Sequence, residues 1–167
     1  MTQPPPDPFA HPASRLSLQV FRLNGTLIAL GDRLVAPLGL TSARWQVLGA
    51  VAQDPEGLPT ADIARNMGLA RQSVQRVVDE LARDGLLAFA PNPRHKRAKL
   101  VRLTSAGQDA FQKASALWAP LAQSILAEAT PEGIAAACAL LERVRDHLGD
   151  LSAGLGPHET PAKRTDP

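Results

Sequence analysis

Residues 61–107 read ADIARNMGLARQSVQRVVDELARDGLLAFAPNPRHKRAKLVRLTSAG. A short helix-forming segment ends at Gly68, and a longer one begins after Ala70. A short apolar strand follows, then a proline-flanked basic loop from Pro91 to Arg97 and a second strand from Lys99 to Leu103. A helix, a turn, a second helix and a basic hairpin are what a protein needs to lay one helix in the major groove of DNA. The hairpin can then reach phosphates or a neighbouring groove.

The composition fits one compact domain with flexible ends. Hydrophobic residues make up 44% of the 167 residues, aromatic residues only 4%, and Tyr is absent. Such a core consists mainly of Leu, Val, Ile and Ala, which favours helices. The net charge is only +2, but five Lys and Arg and no acid lie between Pro91 and Arg102. The positive charge is therefore a local feature on a nearly neutral body.

The single cysteine, Cys138, excludes an intramolecular disulfide framework and fits a reducing cytoplasm. The N-terminus has no basic-then-apolar signal pattern, and no apolar run approaches the ~20 residues of a membrane span. We therefore expect a cytoplasmic protein that is neither secreted nor inserted in a membrane.

The pattern along the chain predicts five segments. They are a disordered proline-rich tail (1–12), an N-terminal dimerisation helix (13–38), a winged helix-turn-helix DNA-binding domain (39–107), C-terminal dimerisation helices (108–149) and a flexible tail (150–167). The fold class is mainly α with a small β-hairpin wing.

The first predicted helix, from about Ser14 to Ala36, carries a heptad seam with apolar spacings of 4-3-4-3-4. The seam consists of Leu16, Val20, Leu23, Leu27, Leu30 and Leu34. An apolar face of this length needs a partner helix. The partner is either another helix of the same chain or a second copy of the protein, and the sequence leaves both open.

Threonines mark the predicted starts of the other helices. Thr41, Thr60 and Thr104 each precede a helix-forming segment and are predicted N-caps. Thr130 starts the last helix and is followed by Pro and an acid, the usual order for the first turn. Pro120 lies inside the long helix after Thr104 and should bend it.

The helix after Ala70 has one apolar and one polar side. The apolar residues recur at i, i+3, i+4 and i+7 and are Val74, Val77, Val78 and Leu81. The polar side suits base edges, because Gln forms a bidentate pair with adenine and Arg with guanine. The predicted DNA-binding residues of this helix are Arg71, Gln72, Ser73, Gln75 and Arg76. Such a face is by itself a common solvated surface, but the elements on either side of it favour DNA binding.

The basic hairpin is the second predicted contact with DNA. Apolar anchors for its strands are Phe89, Leu100, Val101 and Leu103. The residues expected to meet phosphates are Arg94, Lys96, Arg97 and Lys99, and an arginine at the tip can enter a narrow minor groove. A basic loop is often only a solubilising turn, but its position after a recognition-type helix favours DNA contact.

The region from about Leu40 to Gly107 resembles the MarR family of bacterial winged-helix transcription regulators. The segments that carry the resemblance are LTSARWQVL (40–48), IARNMGL (63–69), RQSVQRVVDEL (71–81), DGL (84–86), PNP (91–93), Arg97 and LTSAG (103–107). The resemblance implies a triangular homodimer with interleaved terminal helices as its base and two winged lobes on DNA. It also implies, for many members, a ligand cleft between each lobe and the base.

Two positions depart from the family pattern. The wing of the family usually carries an Asp-x-Arg pair; Arg97 matches the Arg that reaches the minor groove, but the Asp position is His95. Ala70 stands where members often place a Ser or Thr cap on the recognition helix. The loss of such a cap costs about 1 kcal/mol.

Nothing in the sequence points to an enzyme, a cofactor or a metal site. The four histidines are scattered, and no cluster has metal-ligand spacing. Cys138 and His147 are nine residues apart, about 13.5 Å along one helix, which is too far for a catalytic pair. We expect Cys138 to pack in its Ala-rich helix.

The residues and the resemblance together predict a cytoplasmic, homodimeric, non-enzymatic transcription regulator. The expected protein is a repressor that binds a pseudo-palindromic operator in double-stranded DNA, and the resemblance implies that it responds to a small-molecule effector. The alternative is a winged-helix protein-interaction module without DNA binding. Trp45 and Trp118 are candidates for lining an effector site, although each also falls on an apolar helix face that favours core packing.

Overall fold

The computed structural model describes residues 11–95 and 97–154. The helices are α1 (Pro12–Val35), α2 (Ser42–Ala52), α3 (Thr60–Met67), α4 (Arg71–Arg83), α5 (Ser105–Glu128) and α6 (Pro131–Gly154), with a 3-10 turn at Ala36–Leu38. The strands are β1 (Leu58–Pro59), β2 (Leu87–Ala90) and β3 (Leu100–Leu103). This mainly helical architecture with a small antiparallel sheet confirms the predicted fold class. Most of both predicted tails, residues 1–10 and 155–167, lies outside the described residues.

The chain forms two compact units, one ending at Pro120 and the other beginning at Leu121. The first unit contains the hydrophobic core, which is aliphatic as the composition predicts. Its fully buried large side chains are Leu48, Ile63, Leu81, Val35, Val47, Val51, Val74, Val78 and Val101. They come from the end of α1, from α2, α3 and α4, and from β3, so the recognition-type helix is fixed directly to the core.

The three strands form one antiparallel sheet in the order β1-β3-β2. Leu58 pairs with Val101, and β2 pairs with β3 from Leu87↔Leu103 to Ala90↔Leu100. The predicted hairpin is therefore joined by a third strand. Phe89, predicted as an apolar anchor, is instead 42% exposed, because it lies on the edge strand at the margin of the core.

Three of the four predicted N-caps are confirmed. Thr41, Thr104 and Thr130 each accept a hydrogen bond from the backbone N–H three residues later, at 3.3, 3.0 and 3.1 Å. The prediction for Thr60 is wrong, because α3 begins at Thr60 itself and has no side-chain cap. The extended Pro59 takes the cap position there, since β1 runs directly into the helix.

Two helices extend beyond their predicted ends. Helix α1 begins at Pro12 rather than at about Ser14, and His11 Nδ1 accepts a hydrogen bond from the Ala13 N–H at 3.2 Å. Helix α6 continues to Gly154, past the predicted limit at residue 149. A glycine such as Gly149 inside a helix costs only about 1 kcal/mol, so it does not end one by itself.

The heptad seam of α1 remains largely uncovered. Its four central residues, Val20, Leu23, Leu27 and Leu30, are 37–57% exposed, and the neighbouring Phe21 is 72% exposed. Helix α6, in the second unit, also exposes large apolar side chains: Leu140, Leu141, Leu148 and Leu151. No single helix among the described residues is long and apolar enough to cross a membrane; α5 and α6 meet that criterion only together, as a bent pair.

Candidate nucleic-acid interface

The turn between α3 and α4 depends on Gly68, whose φ of 64° lies in the left-handed region that glycine adopts without steric cost. The Leu69 N–H donates to the Ala64 carbonyl at 3.0 Å and closes the end of α3. Helix α4 then starts after Ala70, which is extended and provides no side-chain cap, as the sequence predicts. Gly68 therefore ends α3 in a tight turn only a few residues before α4 begins.

Helix α4 has one buried and one exposed face. Val74, Val77, Val78 and Leu81 are at most 8% exposed, as their spacing predicts. The other face carries the predicted base-reading residues, with Arg71, Gln72, Ser73 and Arg76 exposed and Gln75 half-buried. A shallow depression of about 690 Å³ on this face is lined by Arg71, Gln72, Gln75, Arg76, Asp79, Glu80 and Arg83. Four of the five predicted residues thus lie around one depression, and Ser73 lies outside it.

Two carboxylates accompany these residues on α4. Gln75 Nε2 donates a hydrogen bond to Asp79 Oδ1 at 2.9 Å. Arg76 Nη1 lies 3.7 Å from Glu80 Oε1. Both pairs have i,i+4 spacing, which brings side chains together on a helix surface. This spacing is visible in the sequence and could have predicted both pairs.

The far end of α4 is fixed by an ion pair that no sequence pattern predicted. Arg44, on α2, donates through Nη2 to the carboxylate of Asp84, the C-cap residue of α4. Only 19% of the Arg44 side chain is exposed, and its Nε is buried without a hydrogen-bond partner among the described atoms. No local pattern reveals such a pair, because its members are 40 residues apart.

The wing loop between β2 and β3 presents Arg94, Arg97 and Lys99 as exposed side chains. Lys96, the fourth predicted contact, lies outside the described residues. Asn92 organises the start of the loop: its Oδ1 accepts from the Arg94 N–H at 2.9 Å, and its carbonyl accepts from the His95 N–H at 3.2 Å. Lys99 Nζ lies 6.0 Å from the centroid of the Phe89 ring, within reach of a cation–π contact.

Arg102, the remaining basic residue of the stretch, is engaged at the root of the wing. Its Nε donates to the Glu56 carbonyl at 2.6 Å, and its Nη2 lies 3.0 Å from the Glu56 carboxylate. Gly57, with a φ of 88°, makes room for it, because a Cβ there would lie 2.6 Å from Arg102 Cγ. Arg102 therefore connects β3 to the segment before β1.

Comparison with known proteins identifies the family. Residues 38–98 match the family model described as MarR family. The chain is 32% identical over 102 residues to the transcriptional activatory protein BadR of Rhodopseudomonas palustris; the match covers 60% of this chain and 58% of BadR. The fold matches Sco5413, a MarR family transcriptional regulator from Streptomyces coelicolor, with a TM-score of 0.67 and 27% identity over 83% of this chain and 96% of that one. Residues 38–98 of this chain are therefore a MarR family region.

A further MarR structure supports the fold assignment alone. A mutant MarR from E. coli, complexed with operator DNA, matches with a TM-score of 0.70 and 24% identity. The match covers 83% of this chain and 98% of that one.

Compared with the MarR pattern, this wing has His95 in place of the usual Asp. Its loop is held by backbone turns around Asn92 and by Arg102 at its root.

The two tryptophans predicted as effector contacts lie together. The ring centroids of Trp45 and Trp118 are 5.9 Å apart with an interplanar angle of 59°, and both rings are half-buried. Trp45 also packs against the core. A separate open groove of about 490 Å³ is lined by neither ring but by Gln46, Gly49, Ala50, Ala52, Gln53, Asn66, Met67 and Phe111.

Other reactive groups do not converge in the part of the chain that the structure describes. Across residues 11–95 and 97–154, no three His, Cys, Asp or Glu residues group as metal ligands. Cys138 is exposed, and the expectation that it packs is wrong for the single chain, because α6 leaves much of its surface uncovered.

Proposed function

We propose that this protein is a sequence-specific DNA-binding transcription regulator in which α4 lies in the major groove and the wing contacts the backbone and minor groove. The observation that carries the proposal is that α4 has a buried apolar face and an exposed polar face. Its valines and Leu81 hold the helix to the core, while Gln72, Gln75 and Arg76 lie on its outer face, where they can meet base edges. The acid-free basic wing adds the phosphate-binding charge that such docking requires.

The protein acts as a homodimer in this proposal. The exposed seam of α1, with Leu23 57% and Leu27 39% exposed, is a surface that water-soluble chains cover with a partner. A two-fold dimer presents two copies of α4, so its operator is pseudo-palindromic with half-sites about one helical turn or a multiple apart.

We further propose that the protein represses transcription and that a small molecule relieves repression. The groove beside α2 and the Trp45–Trp118 pair are the candidate effector sites, because both involve α2 and α5, and α2 is tied to α4 through Arg44. Activation is the second candidate, favoured by the name of BadR as an activatory protein. In either case we propose that it works in the cytoplasm, where chromosomal DNA is accessible.

The test begins with selection of bound sequences from a randomised duplex pool by the full-length protein. We expect an inverted repeat to be enriched. A transcription reporter that carries the selected site over its promoter should then be silenced by the protein, whereas activation would select the second candidate. If no sequence is enriched, and the recovered duplexes bind no more tightly than scrambled duplex, the protein-interaction module is favoured instead.

A further inference from the structure

The Gln75–Asp79 pair restricts what the predicted base-reading amide can offer to DNA. Gln75 Nε2 lies 2.9 Å from Asp79 Oδ1, and both residues line the outer depression of α4. A carboxylate only accepts hydrogen bonds, so the amide must turn its NH₂ group, and not its oxygen, toward Asp79. The orientation of Gln75 is therefore set before any DNA arrives.

The restriction changes the hydrogen-bonding capacity of Gln75. A free Gln amide has two N–H donors and one oxygen acceptor. With one N–H held by Asp79, one donor and one acceptor remain. In the major groove, adenine offers one acceptor and one donor, N7 and the N6 amino group, whereas guanine offers two acceptors, N7 and O6. The held amide complements adenine, whereas a released amide can direct both N–H groups to guanine.

We infer that Asp79 is a specificity-determining residue that acts through Gln75 and makes it favour adenine over guanine. The inference rests on the proposed function, since it assumes that α4 enters the major groove. Asp79 has no direct base contact in this scheme and is a positioning residue. Its negative charge opposes binding to phosphates in general, so its effect is a lower affinity for all DNA combined with a higher preference at one base pair.

Two other roles for Asp79 make different predictions. A direct contact with the cytosine N4 amino group would not depend on Gln75. A purely structural i,i+4 pair would stabilise the helix slightly without affecting any particular base. Glu80 provides a matched control, because it is an acid on the same depression and approaches Arg76 rather than Gln75.

The experiment measures relative affinities of the full-length protein for its selected operator with A or G at each position. It compares the wild type with Q75A, D79A, Q75A/D79A and E80Q, with thermal melts to confirm folding. Asp79 is exposed on a helix surface and Ala is the best helix former, so D79A should fold. We expect Q75A to identify one position per half-site, and D79A to lower the A-over-G preference there by at least about fivefold.

Both D79A and E80Q should bind all sequences more tightly than the wild type does. Only D79A should change the A-over-G affinity ratio at the position that Q75A identifies. The double variant Q75A/D79A should have the same A-over-G ratio as Q75A. An unchanged A-over-G ratio in D79A, or an equal decrease of that ratio in E80Q, would overturn the inference. A D79A effect that persists without Gln75 would show direct reading by Asp79 and would also overturn it. Failure of the wild type to select any sequence would instead remove the proposed function itself.

Discussion

Gly107, in the first turn of α5, lies against the backbone carbonyl of Leu86. A Cβ at position 107 would be 2.9 Å from the Leu86 carbonyl carbon, closer than real Cβ atoms come. The same carbonyl accepts hydrogen bonds from the Thr104 N–H at 3.1 Å and from its hydroxyl at 3.2 Å. The end of the wing and the start of α5 are therefore joined at a point that only glycine fits.

Replacement of Gly107 by Ala should destabilise the protein by about 1–3 kcal/mol, because the added methyl group meets backbone rather than a flexible side chain. Urea denaturation measures the change. Gly149→Ala is the matched control: it also lies in a helix but has open space around it, so it should stabilise by about 0.5–1 kcal/mol. Equal effects of the two substitutions would contradict this close approach.

The Arg102–Glu56 contact predicts a different DNA-binding phenotype from that of the exposed wing cations. Arg102→Met should weaken binding by loosening the wing, while the slope of log K against log salt stays nearly unchanged, because Arg102 is already occupied by Glu56. Salt titrations of DNA affinity provide the measurement. A slope reduced by about 0.9 per bound protomer would mean that Arg102 contacts a phosphate after all.

The exposed cations should behave in the opposite way. Changing both Arg94 and Lys99 to Ala should flatten the salt slope by roughly 1.8 per bound protomer, at about 0.9 per phosphate contact, and weaken all sequences similarly. Lys113→Ala, which removes an exposed cation from α5, serves as the control for a general loss of charge. If slope and affinity both stay at wild-type values, these side chains point away from DNA.

Substitutions of Arg76 and of Arg97 should have different effects, the first on sequence preference and the second on attachment to DNA. Arg76→Ala should reduce the preference for operator over scrambled duplex, since a good base contact contributes about 1–3 kcal/mol of discrimination. Arg97→Ala should chiefly weaken docking in the minor groove. Competition binding at fixed salt measures both, and thermal melts check folding. A wild-type specificity ratio in both Arg76→Ala and Gln72→Ala would show that α4 does not read bases.

The α1 seam predicts how the protein associates. Asp at both Leu23 and Leu27 should dissociate the proposed dimer, because each unpaired carboxylate costs several kcal/mol when buried in an interface. Sedimentation velocity gives the oligomeric state. Asp at Ser17 and Asn24, exposed polar residues of the same helix, should leave it intact. A dimer that survives the double leucine change would assign its interface to other helices.

Periodic and local signals in the sequence were sufficient for much of this fold. The valine face of α4, the glycine turn at Gly68 and the caps at Thr41 and Thr104 depend on residues within a few positions of one another. The Arg44–Asp84 and Arg102–Glu56 pairs join residues 40 and 46 positions apart, so they follow from the tertiary fold and leave no periodic signal. Phe89 shows the same limit, because strand alternation does not tell which strand lies at the edge of a sheet.

The aromatic pair has a practical consequence. Trp45 and Trp118 are the chain's complete set of tryptophans, and the sequence contains no Tyr. Near-ultraviolet emission and circular dichroism therefore come almost wholly from two rings 5.9 Å apart, close enough for their electronic transitions to couple. Any event that separates α2 from this part of α5 should therefore change the fluorescence and the circular dichroism of the Trp45–Trp118 pair. The tryptophan pair is thus an intrinsic spectroscopic probe of the contact between α2 and α5, and no label is needed.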